Sequence, residues 1–174
     1  MAIISKKICL LGDFSVGKTS LIRRFVEGEF SDQYLTTVGV KISRKSLEIN
    51  SSSGTINFII WDIEGQTKFQ SIAPSYLQGA TGVILVGDLT RPETLNHLQQ
   101  HLDLFLKINP QGIAVVALNK TDLIDEEKLS KLLKQYSFRN NIHVIASYGT
   151  SAKSGIYVNE MFQQLACHID QVDN

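Results

Sequence analysis

The residues Gly12-Asp13-Phe14-Ser15-Val16-Gly17-Lys18-Thr19 follow the pattern G-x-x-x-x-G-K-T. These types at this spacing suit the cradling of a polyphosphate. Glycines at 12 and 17 let the backbone wrap tightly, so that successive N–H groups converge on β-phosphate oxygens. Lys18 brings a cation to the β- and γ-phosphates, and the Thr19 hydroxyl is a ligand type for Mg²⁺. A helix starting at Lys18 turns its positive dipole end toward the anion. The expected polyphosphate contacts are Asp13, Phe14, Ser15, Val16, Gly17, Lys18, Thr19 and Ser20. The flanks fit: Ile8-Cys9-Leu10-Leu11 is an apolar run suited to a buried strand, and Leu21, Ile22, Phe25 and Val26 share one side of a helix.

Three further groups add to this loop. Asn119-Lys120-Thr121-Asp122 follows a second apolar run. A carboxylate there can accept two hydrogen bonds from a base carrying N1–H and an exocyclic amine. Guanine offers that pair and adenine does not, so unpaired buried groups would reject the wrong base. Ser151-Ala152-Lys153 follows a third run and can give a backbone N–H to the guanine carbonyl. Asp62-x-x-Gly65-Gln66 can hold Mg²⁺ through water on Asp62, present the Gly65 N–H to a γ-phosphate and orient an attacking water with Gln66. Thr37 can place a second hydroxyl on Mg²⁺ when the γ-phosphate is present. Each short motif is weak by itself; their order along one chain is not.

The elements that must position these groups read as follows. Strands are expected at Lys6–Leu11, Val40–Ile49, Ile56–Trp61, Gly82–Gly87, Ile113–Leu118 and Ile142–Ala146. Helices are expected at Lys18–Glu27, from a Thr90-x-x-Glu93 capping box to about Ile108, at Asp125–Tyr136 and at Val158–Ile169. Asn50–Gly54 reads as the turn of an antiparallel hairpin, and residues 29–39 and 62–75 as long loops. Elsewhere strands alternate with helices, which predicts a mainly parallel sheet covered on both faces, with ligands beyond the C-terminal ends of its strands.

The ordered set G-x-x-x-x-G-K-T, Thr37, D-x-x-G-Q, N-K-T-D and S-A-K resembles the Ras superfamily of small GTPases over nearly the whole chain. Thr37–Val40, Phe58–Asp62, Lys68–Ile72, Tyr76–Ala80 and Val86–Thr90 look most like its Rab branch. The resemblance implies a P-loop NTPase three-layer α/β fold, with a six-stranded, mainly parallel sheet and one antiparallel edge strand. It implies one domain over residues 1–174 that binds GTP and GDP with Mg²⁺ and hydrolyses GTP. Phe30 would pack edgewise on the guanine, Lys120 would lie along it, and Tyr34 would close over the phosphates. Thr19, Thr37 and Asp62 would serve the metal, and Gln66 would be the catalytic residue. Effectors would read residues 29–49 and 63–78, with an exchange factor and an activating protein as further partners.

Two departures stand at the γ-phosphate end. Phe14 occupies a position where this family carries small residues. Glu64 stands where a small apolar residue is usual. A carboxylate about 4 Å from a phosphate charge costs roughly 4 kcal/mol at an effective dielectric of 20. Glu64 therefore turns away, meets a cation or weakens the closed GTP state. A GTP-locked or barely hydrolysing binding module is thus an alternative to the cycling GTPase. A P-loop nucleotide kinase is a further rival, opposed by Asn119–Asp122, by Ser151–Lys153 and by the lack of an acceptor-binding lid.

Composition bounds the remainder. The chain has 174 residues, 43% hydrophobic and 20% charged, with zero formal net charge. That charge balance gives no footprint for nucleic acid or for an anionic membrane. Cys9 and Cys167 read as reduced packing residues of a cytoplasmic protein. No signal peptide, myristoylation glycine or prenylation cysteine is recognisable, so no lipid anchor is expected in this sequence, with membrane recruitment only through partners or an additional tail. His97 and His101 lie four residues apart and read as a solvated helix face rather than metal ligands.

Overall fold

Strand β1 (Ile3–Gly12) takes a central place in the sheet because Ile8, Cys9, Leu10 and Leu11 are apolar on both faces, and all four are buried. The structure is a computed structural model and describes residues 3–33, 36–49, 54–65 and 71–173. Its other strands are β2 (Val40–Ile49), β3 (Gly54–Ile63), β4 (Gly82–Asp88), β5 (Ile113–Asn119) and β6 (Val144–Thr150). They form one six-stranded sheet in the order β2-β3-β1-β4-β5-β6. Among the described residues only β2, at one edge, runs antiparallel, paired with β3. This is the three-layer α/β arrangement of P-loop NTPases.

The helices are α1 (Lys18–Glu27), α2 (Pro74–Leu77), α3 (Pro92–Asn96), α4 (Leu98–Ile108), α5 (Glu126–Gln135) and α6 (Val158–Asp173). Side-chain alternation along the strands assigns them to two faces. Ile8, Leu10, Ile84, Val86, Val115 and Ala117 bury against Leu21 and Phe25 of α1 and against Phe162 and Leu165 of α6. The Phe25 and Phe162 rings stack with centroids 3.9 Å apart. Cys9, Leu11, Val83, Leu85, Val116 and Leu118 bury against Leu95, Leu98, Leu102 and Phe105, with Leu129 and Leu132 of α5 at the margin.

Several boundaries differ from the sequence reading. Strands β1 and β3 start earlier because their mutual pairing continues to the exposed Ile3 and the half-buried Thr55. Strand β6 lies later than Ile142–Ala146. Ile142 is exposed, and the His143 N–H donates to Asn141 Oδ1 in a turn. The polar residues Ser147–Thr150 instead join the ladder, with Thr150 opposite Asn119. The capping box does not form. Thr90 Oγ1 donates to Asp88 Oδ1 at 2.7 Å, and Arg91 takes the N-cap position without a side-chain bond. The helix then breaks at His97 into α3 and α4. The expected turn at residues 50–53, Tyr34 and Gln66 lie outside the described residues. Among the described residues, no helix is long and apolar enough to cross a membrane.

Candidate functional site

Strands β1, β5 and β6 end at the same edge of the sheet as the start of α1, and the loops leaving them enclose one cavity. Gly12 closes β1 rather than turning the loop: a Cβ there would strike the Val86 carbonyl of β4. The left-handed positions are Ser15 (φ 63°) and Gly17 (φ 103°). Gly17 also makes room for Asn119, whose Nδ2 would collide with a Cβ. Among the described residues no side chain caps α1, which leaves its first N–H groups for another acceptor.

Lys18 is 6% exposed. Its ammonium donates to the Gly12 and Asp13 carbonyls at 2.9 and 3.0 Å. Burial pushes its pKa down to about 8, against the opposing pull of Asp62 and Asp13, and Arg91 adds to the lowering. A buried cation that is this costly to charge gains strongly from a polyphosphate partner.

Asn119 joins the two sides of the base end. Its Nδ2 donates to the Val16 carbonyl at 3.0 Å, and its Oδ1 accepts from Thr150 Oγ1 at 3.1 Å. Lys120, itself left-handed, donates to the Ser15 carbonyl at 3.1 Å and pairs with the buried Asp88 at 2.7 Å. Asp122 accepts from Ser151 Oγ at 2.7 Å. The Ser151 N–H is engaged by the Ile156 carbonyl and the Ala152 N–H faces Asn119 Oδ1. Arg24 of α1 holds the same loop through the Ala152 and Lys153 carbonyls.

Phe14, Ser15, Gly17, Lys18, Thr19 and Ser20 line the cavity on the phosphate side. Phe30, Asn119, Lys120, Asp122, Ala152 and Lys153 line it at the base side, and Thr37 and Gly65 close it from the two long loops. Asp13, Val16, Asp62 and Ser151 are not on its wall; Val16 and Ser151 are fully buried.

The expected metal ligands converge. Thr19 Oγ1 lies 2.6 Å from Thr37 Oγ1 and donates to Asp62 Oδ2 at 2.5 Å. Asp62 is 1% exposed, and its other oxygen, Oδ1, has no hydrogen-bond partner among the described residues. Burial raises its pKa, which the Thr19 hydrogen bond and Lys18 only partly offset. A buried, half-satisfied carboxylate with two hydroxyls beside it is a hard-oxygen donor set that fits Mg²⁺.

The reading of His97 and His101 as a solvated face is corrected. His101 is buried, and both rings reach Asp13: His97 Nδ1 to Oδ2 at 2.6 Å and His101 Nε2 to Oδ1 at 2.9 Å. Burial alone would raise the Asp13 pKa, but the bonds from His101 and His97 outweigh it and hold the carboxyl below its ordinary value. Arg91 bonds the Phe14 carbonyl at 2.6 Å and Asp88 at 3.2 Å. Asp88, Arg91 and the histidines were not singled out as functional from sequence. The one available signal was the i, i+4 spacing of the histidines.

A family model described as the Ras family matches residues 7–171. Human Rab-22A is 37% identical over 99% of this chain and 88% of its own length. Rab5 of Nicotiana tabacum is 34% identical over 94% of this chain and 80% of its own. Rab-31 of Rattus norvegicus is 33% identical over 99% of this chain and 87% of its own.

Proposed function

Because the chain belongs to the Ras family of small GTPases, close to its Rab branch, we propose that it is a Mg²⁺-dependent GTP-binding switch that hydrolyses GTP slowly. One observation carries the reading. A single cavity is lined by the phosphate loop at one end and by Asn119, Lys120 and Asp122 at the other. In this reading residues 1–174 act as one nucleotide-binding domain.

The N–H groups of residues 15–20 and the Lys18 ammonium hold the β- and γ-phosphates. Asp122 accepts the two guanine donors, Phe30 and the Lys120 stem flank the ring, and the loop at Ser151–Lys153 meets the carbonyl. Tyr34 covers the phosphates. Thr19 and Thr37 would hold Mg²⁺, with Asp62 through water; when bound, the ion neutralises charge on the β- and γ-oxygens. Gly65 gives its N–H to the γ-phosphate and Gln66 orients water. Phosphoryl transfer of this kind rests on positioning and electrostatics.

Slow hydrolysis is supported by Phe14. This large residue lines the cavity together with Thr37 and Gly65 of the two long loops and so crowds the end where the γ-phosphate would sit. The same crowding supports a second reading, a GTP-locked binding module. Effectors would use residues 29–49 and 63–78, where Val38 and Ile42 are exposed and Ile42 lies opposite Trp61 in the β2–β3 ladder.

The test is to denature the purified protein and identify the nucleotide it releases. GDP supports the cycling switch, GTP supports the locked module, and an adenine nucleotide contradicts both.

A further inference from the structure

Glu64 follows the last residue of β3, and Gly39 precedes the first residue of β2. The two strands pair through Val40 and Ile63, so Gly39 and Glu64 face each other one step beyond the ladder. The Glu64 N–H donates to the Gly39 carbonyl at 2.8 Å. The Glu64 carboxylate folds back, and its Oε2 accepts the Gly39 N–H at 2.9 Å. Both backbone hydrogen-bonding groups of Gly39 therefore end on one residue. Gly39 is left-handed (φ 70°), the conformation that glycine adopts without steric cost. An alanine at position 64 could make the backbone bond but has no acceptor for the second.

This arrangement answers the question raised by a carboxylate in this loop. The side chain turns to a backbone donor in the first loop, where a charge-assisted bond stabilises it. Gly39 is two residues from Thr37, whose hydroxyl already sits 2.6 Å from that of Thr19. We propose that Glu64 is a positioning residue: it fastens the first loop to the second through the protein itself, so the Thr37–Gly39 segment stays closed in both nucleotide states. A loop held only by a γ-phosphate opens when that phosphate leaves; a loop held by a side chain does not. The proposal rests on the guanine-nucleotide reading only in naming the two states.

The bond can be read at its own proton. Amide exchange at Gly39 is measured by NMR on the full chain, loaded with GDP or with a non-hydrolysable GTP analogue. Wild type should protect this amide to within about twofold in the two states. Glu64→Ala should exchange on the order of tenfold faster with GDP, the size expected for loss of one hydrogen bond to a charged acceptor. Glu64→Gln should keep most of the protection, because its amide oxygen can accept the same bond. Glu64→Asp, one methylene shorter, should lose it and gives a second way to break the clasp should Glu64→Ala fold poorly. Tenfold faster exchange in wild type with GDP than with the analogue overturns the proposal, as does a folded Glu64→Ala or Glu64→Asp with unchanged exchange. If the chain binds no guanine nucleotide, the same comparison on the protein as purified still reads the clasp.

Discussion

At the base end of the cavity, Asn119, Lys120 and Asp122 each have protein partners: Val16 and Thr150, Ser15 and Asp88, and Ser151. At the γ-phosphate end, Phe14 is 37% exposed, its carbonyl is held by Arg91, and Glu64 reaches out to another loop. The base end is a network in which each of the three side chains is held by partners within the protein. The γ-phosphate end is made of side chains projecting from loops, two of them unusual for the family. On the proposed function, guanine binding and hydrolysis are therefore separable, since orientation supplies the first and unobstructed approach the second.

The comparison is broken most severely at Asp122. Asp122→Asn turns one of the two acceptors for the guanine donors into a donor and should lower GDP affinity on the order of 10⁴-fold while favouring xanthine nucleotides. Nucleotide competition checks this, and ATP displacing GDP as well as GTP does would contradict the assignment. Asn119→Ala strands the Val16 carbonyl and the Thr150 hydroxyl in the interior. The expected cost is about 2–4 kcal/mol, a fall of roughly 5–15 °C in Tm by calorimetry. At the other end, Thr37→Ala should weaken binding of a GTP analogue in Mg²⁺ by about tenfold, as one hydroxyl ligand among several; an unchanged affinity would place Thr37 elsewhere.

The smallest effect sharpens the view from behind the loop. The Asp13 carboxyl is held below its ordinary value of 3.8. Its contribution to stability is then fully present above that value and is lost as pH falls through the lowered one. Asp13→Asn should cost no more than about 1 kcal/mol at neutral pH after solvent screening. The gap in Tm between wild type and this variant should close below pH 4; a gap that stays constant from pH 7 to pH 3 contradicts the histidine brace.

Backbone-dominated features were legible in the sequence. The glycine loop, the apolar runs of β4 and β5 and the polar turn after β5 are written in consecutive residues, so the sheet, its antiparallel edge and the cavity wall followed from them. Contacts between residues distant in sequence were not. The Asp13 carboxylate meets His97 and His101 across more than eighty residues, and helical spacing alone could not distinguish a solvated face from a brace. The shift of β6 has a similar cause. Ile142–Ala146 satisfies an apolar pattern, but pairing with β5 decides the register and recruits Ser147–Thr150. Thr90 and Glu93 have capping-box spacing, yet Asp88 competes successfully for the Thr90 hydroxyl.

Obstruction at Phe14 is tested most directly by single-turnover GTP hydrolysis of wild type and Phe14→Gly, with and without an activator that supplies an arginine finger. Ras-type intrinsic rates are on the order of 10⁻⁴ s⁻¹, and a finger adds about 10³–10⁵. Wild type should fall at or below the intrinsic rate and respond little to the activator. Phe14→Gly should be faster and should gain sensitivity to it. A wild type that hydrolyses GTP faster than Phe14→Gly would contradict the account.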